Sequence, residues 1–230
     1  MPEKTWSSRN DLSTCLEVIG MHEIKSDAFY DLARAYDPGG EGHFVGAVDY
    51  HILDDDRPYE GLSSHMEALR IVFDGFVRES EEYIEKVRER LGDKAADRLD
   101  PWVYDMDKAR AEMLDPGGFL YCPEIVKFDH NGNASYDSEW RPGVDHIGTA
   151  VPYWYAVMEP VMGKRNRPED FRRVNEALFP EGTDGLDVFK WTTDWSDYFD
   201  DGLEWYGACC WSVYDRSMNR YVVMVVSETD

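Results

Sequence analysis

The clearest pattern of apolar positions in the chain is a stripe of nearly helical period between Ser64 and Gly92. Ser64 and Glu67 have the spacing of a capping box, in which each side chain satisfies one unpaired backbone amide at the start of a helix. The apolar positions of the stripe are Met66, Leu69, Phe73, Phe76, Val77, Tyr83, Ile84, Val87 and Leu91. The opposite face is rich in Glu, Lys and Arg. We therefore predict a long amphipathic helix over 64–91 that buries this stripe and ends at Gly92.

Four shorter segments also have helical patterns. Ser26 and Thr193 can act as N-caps, and Asp100 followed by Pro101 is a typical helix start, because proline needs no amide hydrogen bond in the first turn. The residues Asp-Pro-Gly-Gly occur at 37–40 and again at 115–118, where they should stop the preceding helices. The predicted spans are 26–36, 100–114, 167–178 and 194–201.

Apolar alternation and continuous apolar runs predict the strands. The run from His43 to Leu53 alternates, and Asn131-Gly132 is a strong signal for the turn of a two-stranded hairpin. Residues 222–226 are apolar at every position, which is typical of a central strand that is covered on both faces. The predicted strands are 43–53, 124–129, 133–138, 187–192, 204–214 and 221–227.

These elements and the absence of a low-complexity linker predict the fold class. We expect a single α+β domain over residues 1–230. Its antiparallel sheet should contain a C-terminal hairpin, packed against amphipathic helices, above all the helix over 64–91.

The chain has a large excess of acidic residues. Among 230 residues, 24 Lys and Arg stand against 47 Asp and Glu, which gives a formal charge of −23. Such a surface repels a polyanion, so direct binding of nucleic acid is not expected. An acidic surface can steer a basic protein partner, but it also fits a solvated surface without a specific role.

Localisation is inferred from features that the sequence does not show. The first residues have no basic region followed by an apolar run, and no stretch is long and apolar enough to cross a membrane. The four cysteines lack the spacing of a disulfide framework or of a C-x-x-C site. We therefore expect a cytoplasmic protein that is not associated with membranes. No feature predicts its oligomeric state.

The familiar catalytic and cofactor motifs are absent. The chain has no phosphate loop of the type G-x-x-x-x-G-K-[S/T], no G-x-S-x-G and no H-E-x-x-H. Gly40-Glu41-Gly42 leads from a helix into a strand, the reverse of a dinucleotide loop. No cofactor is expected, and the chain is more readily interpreted as a binding protein than as an enzyme.

Three histidines lie close to aspartates in the sequence. In a strand, Asp49 and His51 would share a face, and His43 has the same parity, so these residues could hold a metal ion or form a general base with its carboxylate. In a chain so rich in aspartate, chance alone produces nearly as many such neighbours. The sequence therefore predicts no metal site.

One segment combines aromatic rings and carboxylates at high density. It contains Trp191, Asp194, Trp195, Asp197, Tyr198, Phe199, Asp200, Asp201, Glu204, Trp205, Tyr206 and Trp211. Carbohydrate sites use such rings as platforms and such acids as catalysts, and protein interfaces use similar rings as contact residues. The four-residue spacing of Trp191, Trp195 and Phe199 also fits a buried stripe. Core, interface and small-molecule site therefore all stay open.

The same segment resembles the C-terminal part of a family of uncharacterised bacterial proteins. The resemblance rests on residues 198–207 and 211–215 and covers about 40 residues. It implies no activity, cofactor or site.

Two functions follow as hypotheses. The first is a non-enzymatic acidic binding protein that engages a basic protein partner, with Trp195, Tyr198 and Trp205 as binding residues. The alternative is a hydrolase with a carboxylate and aromatic-lined site, whose substrate could be a carbohydrate. Its candidate catalytic acids are Asp200, Asp201 and Glu204, since two suitably spaced carboxyl groups can cleave a glycosidic bond.

Overall fold

The computed structural model describes residues 20–25, 27–36, 42–121, 126–128, 134–136, 152–160, 165–203 and 207–227. The helices among them are α1 (Ala28–Ala33), α2 (Leu62–Leu91), α3 (Asp93–Ala96), α4 (Pro116–Tyr121), α5 (Tyr153–Met158), α6 (Pro168–Leu178) and α7 (Asp200–Leu203). The strands are β1 (His22–Ile24), β2 (Phe44–Val45), β3 (Val48–Asp54), β4 (Ala111–Leu114), β5 (Val126–Phe128), β6 (Ala134–Tyr136), β7 (Leu186–Trp191), β8 (Ala208–Asp215) and β9 (Arg220–Ser227). A 3-10 turn, Asp197–Phe199, leads directly into α7.

Seven of these strands form one antiparallel sheet, so the predicted α+β fold is confirmed. The strand order is β1-β3-β9-β8-β7-β4, and β2 also pairs with β3. The predicted C-terminal hairpin is present as β8 and β9, paired from Ala208 opposite Ser227 to Asp215 opposite Arg220. The continuous apolar strand β9 lies between β3 and β8. The predicted hairpin around residue 131 is also present, as the separate pair β5 and β6, although its turn lies outside the described residues.

Both faces of the sheet are covered by apolar side chains, as the sequence of β9 predicts. On one face, Val222 and Met224 pack with apolar residues of α1, α4, α5 and α6. On the other face, Val223 and Val225 pack with α2 and with the segments that contain Met106 and Phe199. The sheet is thus the middle layer of three, and alternate residues of one strand belong to different cores.

The long helix α2 starts two residues earlier than predicted, at Leu62, with Gly61 as its N-cap. The predicted capping box is wrong: the Ser64 hydroxyl accepts a hydrogen bond from the backbone N–H of Glu60 at 2.9 Å. The Glu67 carboxylate instead pairs with Arg57 at 2.8 Å. The helix ends where predicted, at Leu91 with Gly92 as its C-cap.

The predicted helix over 100–114 is wrong. This segment forms no helix: it contacts α2 at Trp102 and Tyr104, turns at 106–108, and ends in β4 at the edge of the sheet. Backbone pairing with β7 decides its conformation, since the N–H of Thr192 donates to the carbonyl of Arg110 at 2.9 Å. Asp115-Pro116 provides the helix start that the sequence suggested for Asp100-Pro101. The Asp115 carboxylate accepts the N–H of Gly118 at 2.6 Å, so these residues start α4 instead of stopping a helix.

The predicted strand from His43 to Leu53 is a hairpin, β2 and β3. Val45 pairs with Val48, so Gly46 and Ala47 form a two-residue turn. Gly46 has a φ of 67°, a conformation that favours glycine. The N–H of Ala47 donates to the carbonyl of Ala156 at 2.8 Å, which ties the turn to α5. The hairpin brings His43 next to Asp49.

Candidate functional site

The segment with the predicted site residues is irregular. Ser196, and not Thr193, caps its 3-10 turn, by accepting the N–H of Tyr198 at 3.3 Å. The segment is held against the residues that precede β4, because the N–H of Asp105 donates to the carbonyl of Trp195 at 2.7 Å. Glu204 and Trp205, two of the predicted site residues, lie outside the described residues.

Trp195 lies in the core. It is 2% exposed, and its ring contacts Phe73 with a centroid distance of 4.4 Å and Phe199 at 5.5 Å. Its indole N–H donates to the carbonyl of Thr192. Both the ring and the polar atom are therefore engaged within the protein, and Trp195 does not offer the open face that a binding platform needs.

Tyr198 and the two predicted acids lie nearer to the surface. Tyr198 is half-buried, stacks on Phe76 with a centroid distance of 4.4 Å, and meets the edge of Trp102 at 5.2 Å. Asp200 and Asp201 are exposed at the start of α7. Of these two acids, Asp201 lines a groove in the surface.

This groove has a volume of about 510 Å³ and lies between the second half of α2, the segment after α3 and the start of α7. We call it the acidic groove. Its lining residues are Glu79, Ser80, Tyr83, Ile84, Leu99, Asp100, Trp102 and Asp201. Three of them are carboxylates, and none carries a positive charge. None of the three carboxylates forms an ion pair with any described residue.

The walls of the groove are joined by hydrogen bonds. The Ser80 hydroxyl donates to the carbonyl of Val77 at 2.7 Å and accepts the N–H of Trp102 at 3.0 Å. One residue further on, the N–H of Val103 donates to the Asp197 carboxylate at 2.7 Å. These bonds connect α2, the segment after α3 and the 3-10 turn that leads into α7, so the walls of the groove are held together.

Sequence reasoning missed most residues of the groove. The periodicity predicts that Tyr83 and Leu91 belong to the buried stripe of α2, but they are 60% and 65% exposed. The pattern at Asp100 and Trp102 predicts a helix that does not form. The sequence does contain a relevant signal on α2, since the stripe weakens where acidic residues crowd the helix around Tyr83.

A second cluster of polar side chains lies on the α2 side of the sheet. Strands β1 and β2 pair with successive parts of β3, at residues 52–54 and 48–49, and the cluster surrounds the junction between them. One ligand atom from each of His43, Asp49 and His51 lies within 4.8 Å of the other two. Asp49 and His51 share a face of β3, as the sequence predicted.

Hydrogen bonds to carboxylates connect this cluster. His43 Nδ1 bonds to one oxygen of Asp49, and His51 Nε2 lies 3.2 Å from the other. His51 Nδ1 bonds to Glu23 at 2.7 Å, and the second oxygen of Glu23 pairs with Lys25 at 2.8 Å. Glu23 was not predicted, because it lies on a strand remote in sequence from β3.

The electrostatics of the cluster favour its charged groups. Burial disfavours the charged form of His51, but Asp49 and Glu23 outweigh burial and raise the pKa of His51 to about 9. Burial also disfavours the charged carboxylates, yet the two histidines hold the pKa of Asp49 below its usual range. His51 and Lys25 likewise lower the pKa of Glu23.

Among the described residues, no helix combines the length and apolarity that crossing a bilayer requires.

Comparisons with known proteins add no relative. No protein-family model, no curated protein and no solved structure matches the chain, so its resemblance to uncharacterised bacterial proteins stays a prediction.

Proposed function

We propose that the protein is a non-enzymatic binding protein that engages a basic protein partner, and that the acidic groove takes an Arg- or Lys-bearing segment of that partner. The observation that carries the proposal is the composition of the groove. Glu79, Asp100 and Asp201 line one concavity together with aromatic rings, and none of the described residues that line it is a cation.

The chemistry of the groove matches a cationic side chain. A guanidinium or ammonium group can bind the carboxylates while its aliphatic part covers Ile84 and Leu99. The exposed ring of Tyr83 and the half-buried ring of Trp102 can contact the same cation through their faces. Arginine fits this combination better than lysine, because its planar group both stacks and forms paired hydrogen bonds.

The charge of the whole chain supports the same partner. A formal charge of −23 attracts a basic protein from a distance and raises its rate of association, most strongly at low ionic strength. The net charge steers any cation towards the protein, whereas the groove can select where one binds.

The test compares two double variants, each of which neutralises two carboxylates on or near α2. Glu79→Gln with Asp201→Asn neutralises two groove carboxylates, whereas Glu81→Gln with Glu89→Gln neutralises two exposed α2 residues that do not line the groove. Wild-type protein and both variants are immobilised, exposed to lysate at low salt and eluted at high salt.

We expect wild type and the α2 control to retain the same basic protein, and the groove variant to lose it. Elution at high salt should release it, because screening weakens the ionic contacts. Equal retention by both variants would show that net charge alone acts, and an empty wild-type eluate would refute the proposal.

The alternative hydrolase function keeps one specific observation in its favour. Asp201, a predicted catalytic acid, shares the groove with two further carboxylates and with Trp102. A pair of carboxyl groups and an indole platform is the arrangement that glycoside hydrolysis uses. Hydrolysis of a chromogenic glycoside by wild type, abolished in Asp201→Asn, would favour the enzyme over the binding protein.

A further inference from the structure

His43, Asp49 and His51 converge although His43 precedes β2 and the other two residues lie in β3. Asp49 and His51 are alternate residues of β3, so their side chains lie on the same face. The tight turn at Gly46 returns the chain so that His43 reaches the Asp49 carboxylate. Two imidazoles and a carboxylate thus meet at the junction where β1 ends and β2 begins.

The spacing of the donor atoms suits a metal ion. Ligands that share a tetrahedral ion at about 2.1 Å lie about 3.4 Å from one another. His51 Nε2 lies 3.2 Å from Asp49, and the three donor atoms lie within 4.8 Å of one another. A small rotation of the His43 or Asp49 side chain would bring all three to one centre.

The strongest indication is an unsatisfied atom. His51 is 7% exposed, and its Nε2 is buried without a hydrogen bond of acceptable geometry, although an Asp49 oxygen is only 3.2 Å away. A buried imidazole nitrogen normally has a partner. If the cluster were only an ion pair, we would expect the Nε2–H to point at that oxygen. A ligand between the two residues explains why it does not.

Glu23 orients His51 as carboxylates orient metal-binding histidines in many sites. Its oxygen lies 2.7 Å from His51 Nδ1, and Lys25 holds the other oxygen. A metal ion that displaces the Nε2 proton leaves Nδ1–H donating to Glu23, so the lone pair of the neutral ring resides on Nε2 and faces Asp49. Phe76 packs against the same ring, with a centroid distance of 5.2 Å, and restricts its rotation.

We propose that His43, Asp49 and His51 bind one divalent transition-metal ion, with Glu23 as the residue that positions His51. Two nitrogen donors and one oxygen donor favour zinc, cobalt or nickel over magnesium and calcium, which prefer oxygen ligands. Three protein ligands leave a coordination position for water or a further ligand. The side chain of His43 is 20% exposed, which gives an ion access to the cluster.

The test uses the full chain, stripped of metal by a chelator and titrated with Co²⁺. We expect one ion per chain, with the visible absorption of cobalt in a nitrogen-containing site of low coordination number. Zn²⁺ should displace it, whereas Mg²⁺ in about a hundredfold excess should not. Zn²⁺ should also raise the melting temperature, because an ion that binds only the folded state stabilises it.

His43→Asn removes one ligand at the most exposed position of the cluster and should weaken Co²⁺ binding by about a hundredfold or more. Glu23→Gln leaves all three ligands in place and should weaken binding by about ten- to a hundredfold. The matched control is His22→Asn, since His22 is a partly exposed histidine of β1 outside the cluster. This control should bind Co²⁺ like wild type.

Circular dichroism establishes that each variant is folded. If His43→Asn does not fold, the Co²⁺ affinity of Glu23→Gln tests the proposal instead. Cobalt spectra of an all-oxygen octahedral site would indicate adventitious binding to surface carboxylates and overturn the proposal. Wild-type affinity in both cluster variants would overturn it as well.

Discussion

His65 is a buried histidine that takes no part in either site. It is fully buried on the α2 side of the sheet, where its Nδ1 lies 2.8 Å from the Ser212 hydroxyl and its Nε2 lies 3.1 Å from the Tyr59 hydroxyl. Ser212 also accepts the indole N–H of Trp191 at 2.8 Å. Burial lowers the pKa of His65 to about 4, and the opposing attraction of Asp187 is too small to reverse this. His65 is therefore neutral in the folded protein at neutral pH.

This neutral histidine predicts a loss of stability on mild acidification. Below a pKa of about 6.5 the unfolded chain gains a proton at His65 that the folded protein does not accept until about pH 4. Between about pH 7 and pH 5 this difference costs about 2 kcal/mol of unfolding free energy. Urea unfolding at both pH values, for wild type and His65→Gln, isolates the effect, because His51 and the carboxylates titrate in both proteins. Parallel changes in the two proteins would contradict the assignment.

The two tryptophans near the groove illustrate what local sequence can predict about a site. The density of rings and acids around Trp195 marks the segment that contains Asp201, which lines the groove. It could not predict that Trp195 would be buried against Phe73 of α2, because that contact joins residues more than a hundred positions apart. Trp102, which does line the groove, also has acids and a ring around it, among them Asp100, Tyr104 and Asp105, but their pattern predicts a helix that does not form. Burial of a single ring is decided by tertiary contacts that composition does not contain.

The β2–β3 hairpin depends on Gly46. A Cβ at this position would lie 2.6 Å from the carbonyl oxygen of Ala156 and closer still to that of Val157, and backbone atoms of α5 cannot move aside. Gly61 has a similar φ of 65°, but a Cβ there would meet nothing within 4 Å. Substitution of the two glycines therefore distinguishes the cost of backbone strain, which both share, from the cost of a collision with α5, which only Gly46 has.

Gly61→Ala should cost about 1–3 kcal/mol of unfolding free energy, because a φ of 65° with a ψ of −135° is a conformation that residues with a Cβ rarely adopt. Gly46→Ala should cost more than Gly61→Ala, because the collision with α5 adds to the strain of a positive φ. Urea unfolding of both variants measures the difference. Equal costs would show that the turn can move away from α5.

Elements with strong local patterns were predicted well, and elements that depend on neighbours were not. The stripe of α2 indicates a helix by its period, and the apolar runs of β8 and β9 indicate strands by their length and residue types. The segment 100–114 contains good helix formers, but the exposed edge of β7 offers backbone partners that its last residues use as β4. Helix propensity is a weak preference, and a row of unpaired sheet hydrogen bonds outweighs it.

The sheet as a whole depends on β9. Because β9 pairs with β3 on one side and with β8 on the other, removal of residues 216–230 would divide the sheet and expose both cores. We expect this truncated protein to lose cooperative unfolding altogether. Thermal melts followed by circular dichroism measure this, and a sharp transition like that of the full chain would contradict the central position of β9.

The central position of β9 was predictable, but its pairing with β3 was not. Residues 222–226 are apolar at every position, which requires cover on both faces. The pairing of β8 with β9 follows from their closeness in the chain. The pairing of Asp49 with Val225 joins distant parts of the chain, and no residue pattern identifies that register. The architecture could therefore be predicted as a class, and the topology could not.

The partnership of β3 and β9 also determines when the protein can fold during its synthesis. β3 leaves the ribosome early, but its partner strand is complete only when residue 227 has been made. Until then β3 lacks the strand that pairs with one of its sides. A pairing between such distant segments also forms slowly once both are present. The sheet of this chain therefore cannot be completed before residue 227 has left the ribosome, and the interval in which β3 waits for β9 is when the nascent protein is most exposed to aggregation.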